Sequence, residues 1–320
     1  MSWRILACLI CVPALAQNGA TGDREVRDKA AADLRARIEA SPELPFTATH
    51  FAAKAPAVGW ESGMVSWLAV DSKGLIYEIQ RGDKADPVLV LDREGKVLRS
   101  WGKGGYTIPH SIRIDPAGNV WTVDAASSVV TKYSPRGETL LTINVGEQPK
   151  TRSAFNGTTD IAFGPGGRIF ITDGYGNARV LEYTPDGKRV REWGKAGNGA
   201  GEFHLPHAIQ IDEEGTIYVA DRENGRIEKF SLNGKFLGEF SNLGRTYSLK
   251  LDGQYLWAGM QPLNEPTGSA GWVVKLDRKT GGIVGHLTVS EKSGLHSVEV
   301  MPSGEPLTNL GSQVIWFRAK

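Results

Sequence analysis

Three of the six histidines in this 320-residue chain stand at the same point of a recurring sequence pattern. They open the runs H-S-I-R-I-D, H-A-I-Q-I-D and H-S-V-E-V-M at His110, His207 and His296. Neutral imidazole is a good zinc ligand, and three nitrogen ligands with a fourth, open position are typical of a catalytic zinc site. The pattern therefore predicts a zinc centre if the fold brings these side chains together, with hydrogen-bonded histidines and no metal as the alternative. His204 is expected to be a loop residue, because at a spacing of three an extended chain points it away from His207.

Two arginines and a tyrosine occupy equivalent places farther along the same pattern, just after its second apolar run. They are Arg81 in I-Q-R-G-D, Tyr175 in T-D-G-Y-G-N and Arg222 in A-D-R-E-N-G. Guanidinium groups bind carboxylates through paired hydrogen bonds, so these arginines predict an anionic substrate. A divalent cation and an arginine would lower the pKa of a neighbouring tyrosine, which would make Tyr175 a phenolate base. The spacing leaves open that the arginines form surface salt bridges and that the tyrosine only packs in a turn.

The elements that position these residues are clearest between Gly201 and Phe240. Three short alternating runs, A-I-Q-I, T-I-Y-V-A and I-E-K-F, precede a weaker fourth, K-F-L-G-E-F. The turn sequences D-E-E-G, D-R-E-N-G and S-L-N-G separate them. The alternation of apolar and polar residues in runs that lie between tight turns predicts half-buried antiparallel strands. Four such strands in about forty residues make one blade of a β-propeller.

The first strand of this unit recurs at intervals of roughly 40–50 residues, which is the period of propeller blades. We therefore expect an all-β fold over residues 46–320, a six-bladed β-propeller, with five blades and an irregular closure as an alternative. The sixth copy lacks a strand, and the region Phe46–Trp60 is expected to supply it as the outer strand, so that no sheet edge stays open. The six equivalent first positions are Ser66, His110, Thr159, His207, Tyr247 and His296.

This architecture would bring the candidate site residues together. Alternate blades of a six-fold ring lie about 120° apart, so histidines on blades two, four and six would converge on the central channel. The first and second strands of a blade are antiparallel, so the start of one and the end of the other lie on the same face. We therefore expect Arg81, Tyr175 and Arg222 around the mouth that the histidines face.

The first 45 residues differ in composition from the repeats. Residues 1–16 combine one arginine, an apolar core and the ending A-L-A, which predicts a cleaved signal peptide and a secreted or periplasmic protein. The apolar part is too short to span a bilayer. Both cysteines, Cys8 and Cys11, lie within it, so no disulfide is expected in the mature protein. Residues 17–45 are expected to form a polar leader, helical or loosely ordered, that takes no part in the chemistry.

The balance of charges gives no electrostatic reason to expect nucleic acid or an anionic membrane as a partner. The 37 lysines and arginines nearly balance the 36 aspartates and glutamates. A nucleic-acid-binding or membrane-binding protein usually carries a basic excess, and this chain has none. We expect neither nucleic acid nor membrane as a partner, and we expect a monomer.

The repeat resembles the NHL type, and several phrases within it resemble the peptidyl-α-hydroxyglycine α-amidating lyase domain, the second catalytic half of peptide C-terminal amidation. The similarity covers nearly all of residues 60–300 and is strongest over 155–240. The phrases that carry it are R-G-D at 81–83, P-H-S-I at 109–112, D-G-Y-G-N-A-R at 173–179, P-H-A-I at 206–209 and A-D-R-E-N-G-R at 220–226.

The resemblance implies a zinc-dependent carbon–nitrogen lyase. Its substrate would be a small peptide or amide with a carboxylate, a peptidyl-α-hydroxyglycine, and its products a peptide amide and glyoxylate. Zinc would polarise the substrate hydroxyl while Tyr175 takes the proton. Arg81 would stabilise the developing anion, and Arg222 would hold the carboxylate. The implied zinc ligands are His110, His207 and His296.

The chain also departs from that family. Asn156 and Gly176 stand where the family has a cysteine pair, and Ser297 stands where it usually has an aspartate beside a structural calcium. The resemblance thus implies calcium, but the serine argues against it. A non-catalytic NHL propeller that binds a peptide or protein partner is the alternative function. A propeller lactonase or esterase ranks lowest, because such sites generally use acidic and asparagine ligands around calcium.

Overall fold

The computed structural model describes residues 22–149, 153–290 and 294–320, so the signal peptide predicted at 1–16 lies outside the described residues. Helix α1 (Gly22–Glu39) and strand β1 (Phe46–Ala52) come first, and 23 further described strands follow. Every strand belongs to one of six four-stranded antiparallel sheets. The predicted six-bladed all-β propeller is therefore confirmed.

The blades follow one another along the chain. There are two 3₁₀ turns within blades: Pro165–Gly167 lies in blade three, and Arg222–Asn224 lies in blade four. Blade one holds β2 (Val65–Val70), β3 (Ile76–Gln80), β4 (Val88–Leu91) and β5 (Val97–Trp101); blade two holds β6 (Pro109–Ile114), β7 (Val120–Asp124), β8 (Val129–Tyr133) and β9 (Thr139–Asn144); blade three holds β10 (Asp160–Phe163), β11 (Ile169–Asp173), β12 (Arg179–Tyr183) and β13 (Arg189–Trp193). Blade four holds β14 (Pro206–Ile211), β15 (Ile217–Asp221), β16 (Arg226–Phe230) and β17 (Phe236–Phe240); blade five holds β18 (Arg245–Asp252), β19 (Tyr255–Gln261), β20 (Gly271–Asp277) and β21 (Ile283–Val289); blade six holds β22 (Gly294–Val300), β23 (Pro306–Leu310), β24 (Gln313–Ala319) and β1.

A repeated D-x-x-G turn joins the first and second strands of several blades. In the turn after β2, Asp71 Oδ1 accepts hydrogen bonds from the backbone of Lys73 and Leu75, each at 2.9 Å. Gly74 closes this turn at φ 79°, a conformation that glycine adopts without steric cost. In these blades the turn reverses the chain, so that the second strand runs antiparallel to the inner strand.

The ring closes through the strand that was predicted to complete blade six. Strand β1 pairs antiparallel with β24 from Phe46↔Ala319 to Ala52↔Gln313. The inner strands β2, β6, β10, β14, β18 and β22 each contact the next around the ring, and β22 contacts β2. The first and last parts of the propeller thus share one sheet, in which β1 covers the edge of β24 and closes the ring.

Helix α1 packs against the propeller. Its residues Ala31, Leu34 and Ile38 are buried, and their spacing of three and four places them on one helical face. Arg37 donates hydrogen bonds to the carbonyl oxygens of Ser241 and Asn242, both at 3.2 Å. Neither α1 nor any other helix in the described ranges combines the length and apolarity needed to cross a bilayer.

A buried carboxyl in blade one makes stability depend on pH. Glu78 is fully buried, Ser62 Oγ donates to its Oε1 at 3.1 Å, and its Oε2 has no hydrogen-bond partner among the described residues. Burial raises the pKa of Glu78 from 4.5 to about 7, against the hydrogen bond from Ser62, which lowers it. The protonated form is therefore favoured by folding, so this contribution is complete below pH 4.5 and is lost as pH rises through 7.

We expect Glu78→Gln, which stays uncharged, to abolish that loss. Relative to wild type, the free energy of unfolding of the variant should improve by up to about 3 kcal/mol between pH 5 and pH 8. Urea unfolding of both proteins at the two pH values measures it. Other titrating groups are common to both proteins and cancel. A difference that does not change with pH would contradict the buried titration.

Candidate metal centre

His110, His207 and His296 meet in the central channel. They lie on β6, β14 and β22, the inner strands of blades two, four and six. Their nearest ring nitrogens all lie within 4.8 Å of one another, and their ring centroids are 4.8–5.0 Å apart. In the part of the chain that the structure describes, this is the one group of three or more histidine, cysteine or acidic side chains able to hold a metal.

Main-chain carbonyls fix the orientation of all three rings. Each Nδ1 lies 2.6–2.7 Å from the carbonyl oxygen at the first position of the next blade. A carbonyl can only accept, so Nδ1 must carry the hydrogen, and each Nε2 keeps its lone pair. The pairs are His110 with Thr159, His207 with Tyr247, and His296 with Ser66.

The three imidazoles are neutral at physiological pH. Burial lowers the pKa of each histidine. The positive charge of Arg222 lowers all three further, and that of Arg81 lowers those of His110 and His296. The pKa of His296 falls to about 3, and those of His110 and His207 lie well below the ordinary value of 6.5. A metal ion binds imidazole in this neutral form, so no proton must be displaced before binding. Three neutral, preoriented nitrogens fit a zinc ion.

Trp67 forms the floor beneath the histidines. Its ring centroid lies 5.5–6.1 Å from those of all three. The buried guanidinium of Arg113 stacks on Trp67 at 4.9 Å and donates to Asp160 at 2.6 and 3.0 Å and to Glu299 at 3.1 Å. This floor was not predicted from the sequence, although Trp67 directly follows Ser66, one of the six aligned first positions.

The surroundings of Ser297 do not fit a calcium ion. Its backbone N–H and its hydroxyl both donate to Asn309 Oδ1, at 2.8 and 3.1 Å, and its carbonyl accepts from Thr308 at 2.6 Å. Calcium takes six to eight oxygen ligands, usually including carboxylates. Here the serine is committed to neighbouring strands, and Trp67 and Arg113 occupy the channel below the histidines.

Tyr175 places its hydroxyl between two of the histidines. The oxygen lies 3.0 Å from His110 Nε2 and 3.1 Å from His207 Nε2. The protein groups alone do not lower the pKa of Tyr175. Burial raises this pKa, and the opposing effects of Arg222 and Arg81 are smaller. The predicted lowering had included a divalent cation, so any phenolate depends on that added charge.

The loop that carries Tyr175 is held without a disulfide. The Tyr175 N–H donates to the Gly157 carbonyl at 3.1 Å. A Cβ at Gly176 would lie 2.2 Å from the carbonyl oxygen of Asn156, so only glycine allows the two segments to approach this closely. Backbone contact thus joins the two positions where the related family has cysteines.

Arg222 and Arg81 lie at the same end of the channel as Tyr175. Arg222 is buried, its guanidinium lies 5.1 Å from the centroid of the Tyr247 ring, and its Nη2 has no hydrogen-bond partner among the described residues. Arg81 donates from Nη2 to Ser66 Oγ at 2.7 Å and lies 5.1 Å from the Phe155 ring. A buried donor without a partner is costly, so Arg222 favours a bound acceptor.

Glu223 joins several arginines behind the site. Its carboxylate contacts Arg222 Nε at 3.0 Å, Arg245 Nε at 3.0 Å and Arg27 Nη2 at 2.8 Å. Burial acts to raise the pKa of Glu223, but the three arginines outweigh it and hold it at about 2. One negative charge thus faces three positive charges, and this excess favours an anion. Glu223 lies in the motif A-D-R-E-N-G-R, but no role for it was predicted from the sequence.

Known proteins resemble this chain in sequence. A family model described as a 6-bladed beta-propeller (DUF5128) matches residues 155–305. The peptidyl-glycine alpha-amidating monooxygenase of Mus musculus is 33% identical over 212 residues, which cover 56% of this chain and 22% of the relative. The peptidyl-alpha-hydroxyglycine alpha-amidating lyase 1 of Drosophila melanogaster is 35% identical over 187 residues, covering 54% of this chain and 35% of the relative. The NHL repeat-containing protein 3 of Homo sapiens is 29% identical over 276 residues, covering 71% and 79%.

The chain spans well under half the length of the two amidating relatives and most of the NHL relative. The amidating relatives and the NHL relative both match this chain. Its structure has six four-stranded sheets. This protein is a six-bladed β-propeller homologous to the peptidyl-α-hydroxyglycine α-amidating lyases and to NHL repeat-containing proteins.

Proposed function

We propose that this protein is a zinc-dependent lyase that cleaves a peptidyl-α-hydroxyglycine into a peptide amide and glyoxylate. One observation carries the proposal: three neutral imidazoles converge with a tyrosine hydroxyl beside the buried guanidinium of Arg222, whose Nη2 has no hydrogen-bond partner among the described residues. Relatives named for α-amidation and for α-hydroxyglycine lyase activity support it.

The metal would be held by Nε2 of His110, His207 and His296. Zinc with three imidazole ligands and an open position supplies a Lewis acid that polarises a coordinated hydroxyl oxygen. The carbonyls behind each Nδ1 keep the rings directed inward, so little reorganisation accompanies binding. Trp67 closes the channel beneath them and excludes water from that side.

Tyr175 is placed to move the proton. Its oxygen lies beside two of the three Nε2 atoms, and a substrate hydroxyl held there would be within hydrogen-bond reach. Tyr175 takes the hydroxyl proton as the C=O bond of glyoxylate forms and the C–N bond breaks. The electron pair of that bond goes to the amide nitrogen, and the proton returns to it. Atoms and charge balance without an oxidant or a second reactant.

The two arginines have separate tasks. Arg222, with its unpaired Nη2, binds the substrate carboxylate that becomes the carboxylate of glyoxylate. Arg81 is held by Ser66 and the Pro109 carbonyl. From there its charge stabilises negative charge that develops on the tyrosine and on the substrate oxygen.

The second candidate is a propeller that binds a peptide or protein partner without turnover. The observation that favours it is the match to NHL repeat-containing protein 3, whose name states a repeat and no activity and of which the chain covers 79%. In that case the three histidines only hold neighbouring blades together through their Nδ1–carbonyl hydrogen bonds.

Metal analysis and turnover together separate the two functions. We expect the purified protein to hold one zinc ion and to release glyoxylate and peptide amide in equal amounts from a peptidyl-α-hydroxyglycine. Removal of zinc with a chelator should stop release, and added zinc should restore it. A protein that binds zinc but releases no glyoxylate would contradict the lyase proposal. A protein that binds no zinc would favour the binding function.

A further inference from the structure

Helix α1 reaches the arginine cluster beside the metal centre. Arg27, one turn before the buried face of the helix begins, donates from Nη2 to Glu223 Oε2 at 2.8 Å. The side chains of the pair are 28% and 9% exposed, so this ion pair is largely screened from water. Helix α1 belongs to the leader, residues 17–45, in which no chemistry was expected. It nevertheless contacts Glu223, the residue that follows Arg222.

The carboxylate of Glu223 is divided among its partners. Oε1 accepts from Arg222 Nε at 3.0 Å, Arg245 Nε lies 3.0 Å from both oxygens, and Oε2 also accepts from Arg27. The Glu223 N–H is fixed as well, because it donates to the His204 carbonyl at 3.0 Å. Arg27 therefore occupies the oxygen that Arg222 does not use.

That arrangement leaves Nη2 of Arg222 available. If Arg27 were absent, Oε2 would keep only its contact with Arg245 and could turn to the unpaired Nη2 of Arg222, which would then be satisfied within the protein. The cluster would also lose one positive charge. Both changes act in the same direction, because each weakens the attraction of Arg222 for an external carboxylate.

We propose that Arg27 is a positioning residue: it holds Glu223 away from Nη2 of Arg222 and so keeps that guanidinium available for the substrate carboxylate. Helix α1 is then part of the substrate site. This inference rests on the proposed function, because it assigns a cause to the carboxylate affinity that the function requires.

We expect the helix to remain attached when Arg27 is removed, because its other contacts do not involve Arg27. Leu34 and Ile38 are buried, and Arg37 donates to the carbonyls of Ser241 and Asn242. Arg37 is the matched control, because its side chain is 32% exposed, it lies on the same helix, and its contacts do not include Glu223. A purely structural role of α1 would make Arg27→Ala and Arg37→Ala behave alike.

The test compares these variants in the zinc-loaded full chain. We expect Arg27→Ala to raise KM for a peptidyl-α-hydroxyglycine about tenfold with kcat within about twofold, because a contact to the bound carboxylate is weakened and the reacting groups are untouched. Arg37→Ala should match wild type, and Arg27→Lys should recover part of the loss. Arg222→Ala gives the full effect for comparison.

A binding measurement checks the same claim without turnover. Calorimetric titration with a peptide ending in glycine should show about tenfold weaker binding to Arg27→Ala, whereas the same peptide as its C-terminal amide should bind all variants equally. Equal affinities of wild type, Arg27→Ala and Arg37→Ala for the carboxylate peptide would overturn the positioning role alone. If wild type itself does not prefer the carboxylate peptide, the proposed function fails and the inference fails with it. Should Arg27→Ala not fold, Arg27→Gln allows the same comparison.

Discussion

Replacing His207 by alanine should remove the bound metal and nearly all turnover. The change leaves His110 and His296, and two imidazoles alone hold zinc far more weakly than three. Since the polarising effect of the metal on the substrate oxygen is worth several kcal/mol, we expect kcat/KM to fall by about a thousandfold or more. Elemental analysis of the dialysed protein and glyoxylate release measure the two effects.

His204→Ala is the control for this variant. His204 lies three residues earlier in the same segment, and its side chain is exposed, whereas His207 is fully buried. We expect the His204 variant to keep its zinc and its turnover. If His207→Ala kept both its zinc and its turnover, these imidazoles would be channel residues that do not hold the metal.

Replacing Tyr175 by phenylalanine should lower kcat by about 10²–10⁴-fold, which is the usual contribution of a general acid–base group. The substitution removes only the hydroxyl that lies 3.0 and 3.1 Å from the two Nε2 atoms and keeps the ring that packs on Phe155. Because the metal ligands and Arg222 are unchanged, zinc content and KM should change little. Steady-state kinetics with metal analysis separate these effects.

Tyr247→Phe provides the matched comparison. The Tyr247 ring also lies beside His207, at 5.7 Å between centroids, but its hydroxyl donates to Gln261 Oε1 at 3.0 Å and not to a histidine. We expect this variant to retain kcat within a few-fold of wild type. Equal kcat values for Tyr175→Phe and Tyr247→Phe would remove Tyr175 from the proton transfer.

The fold and the three histidines follow from the sequence because the repeat is local. Each blade is encoded within about forty residues by alternation and turn residues, and the phase of His110, His207 and His296 within that repeat then gives their convergence. Even the closing strand β1 was predictable, because the sixth copy is one strand short of a four-stranded blade and the segment before the first blade can supply it.

Other parts of the site depend on packing that no repeat encodes. The contact between Arg27 and Glu223 joins residues 196 positions apart, and nothing in the polar sequence of the leader indicates which blade it meets. The pKa of Tyr175 required knowing that burial of its ring outweighs two nearby guanidiniums. Trp67 was not predicted because only the first position of each inner strand, here Ser66, was compared between the repeats.

The carbonyl oxygens that orient the three imidazoles belong to blades other than those that carry the histidines. Each histidine of an even-numbered blade is oriented by the main chain of the odd-numbered blade that follows, so all six sheets define the geometry of one small centre. Half a propeller would retain only part of this group of oriented imidazoles. The domain is therefore indivisible for its chemistry, although its sequence is built from separable units.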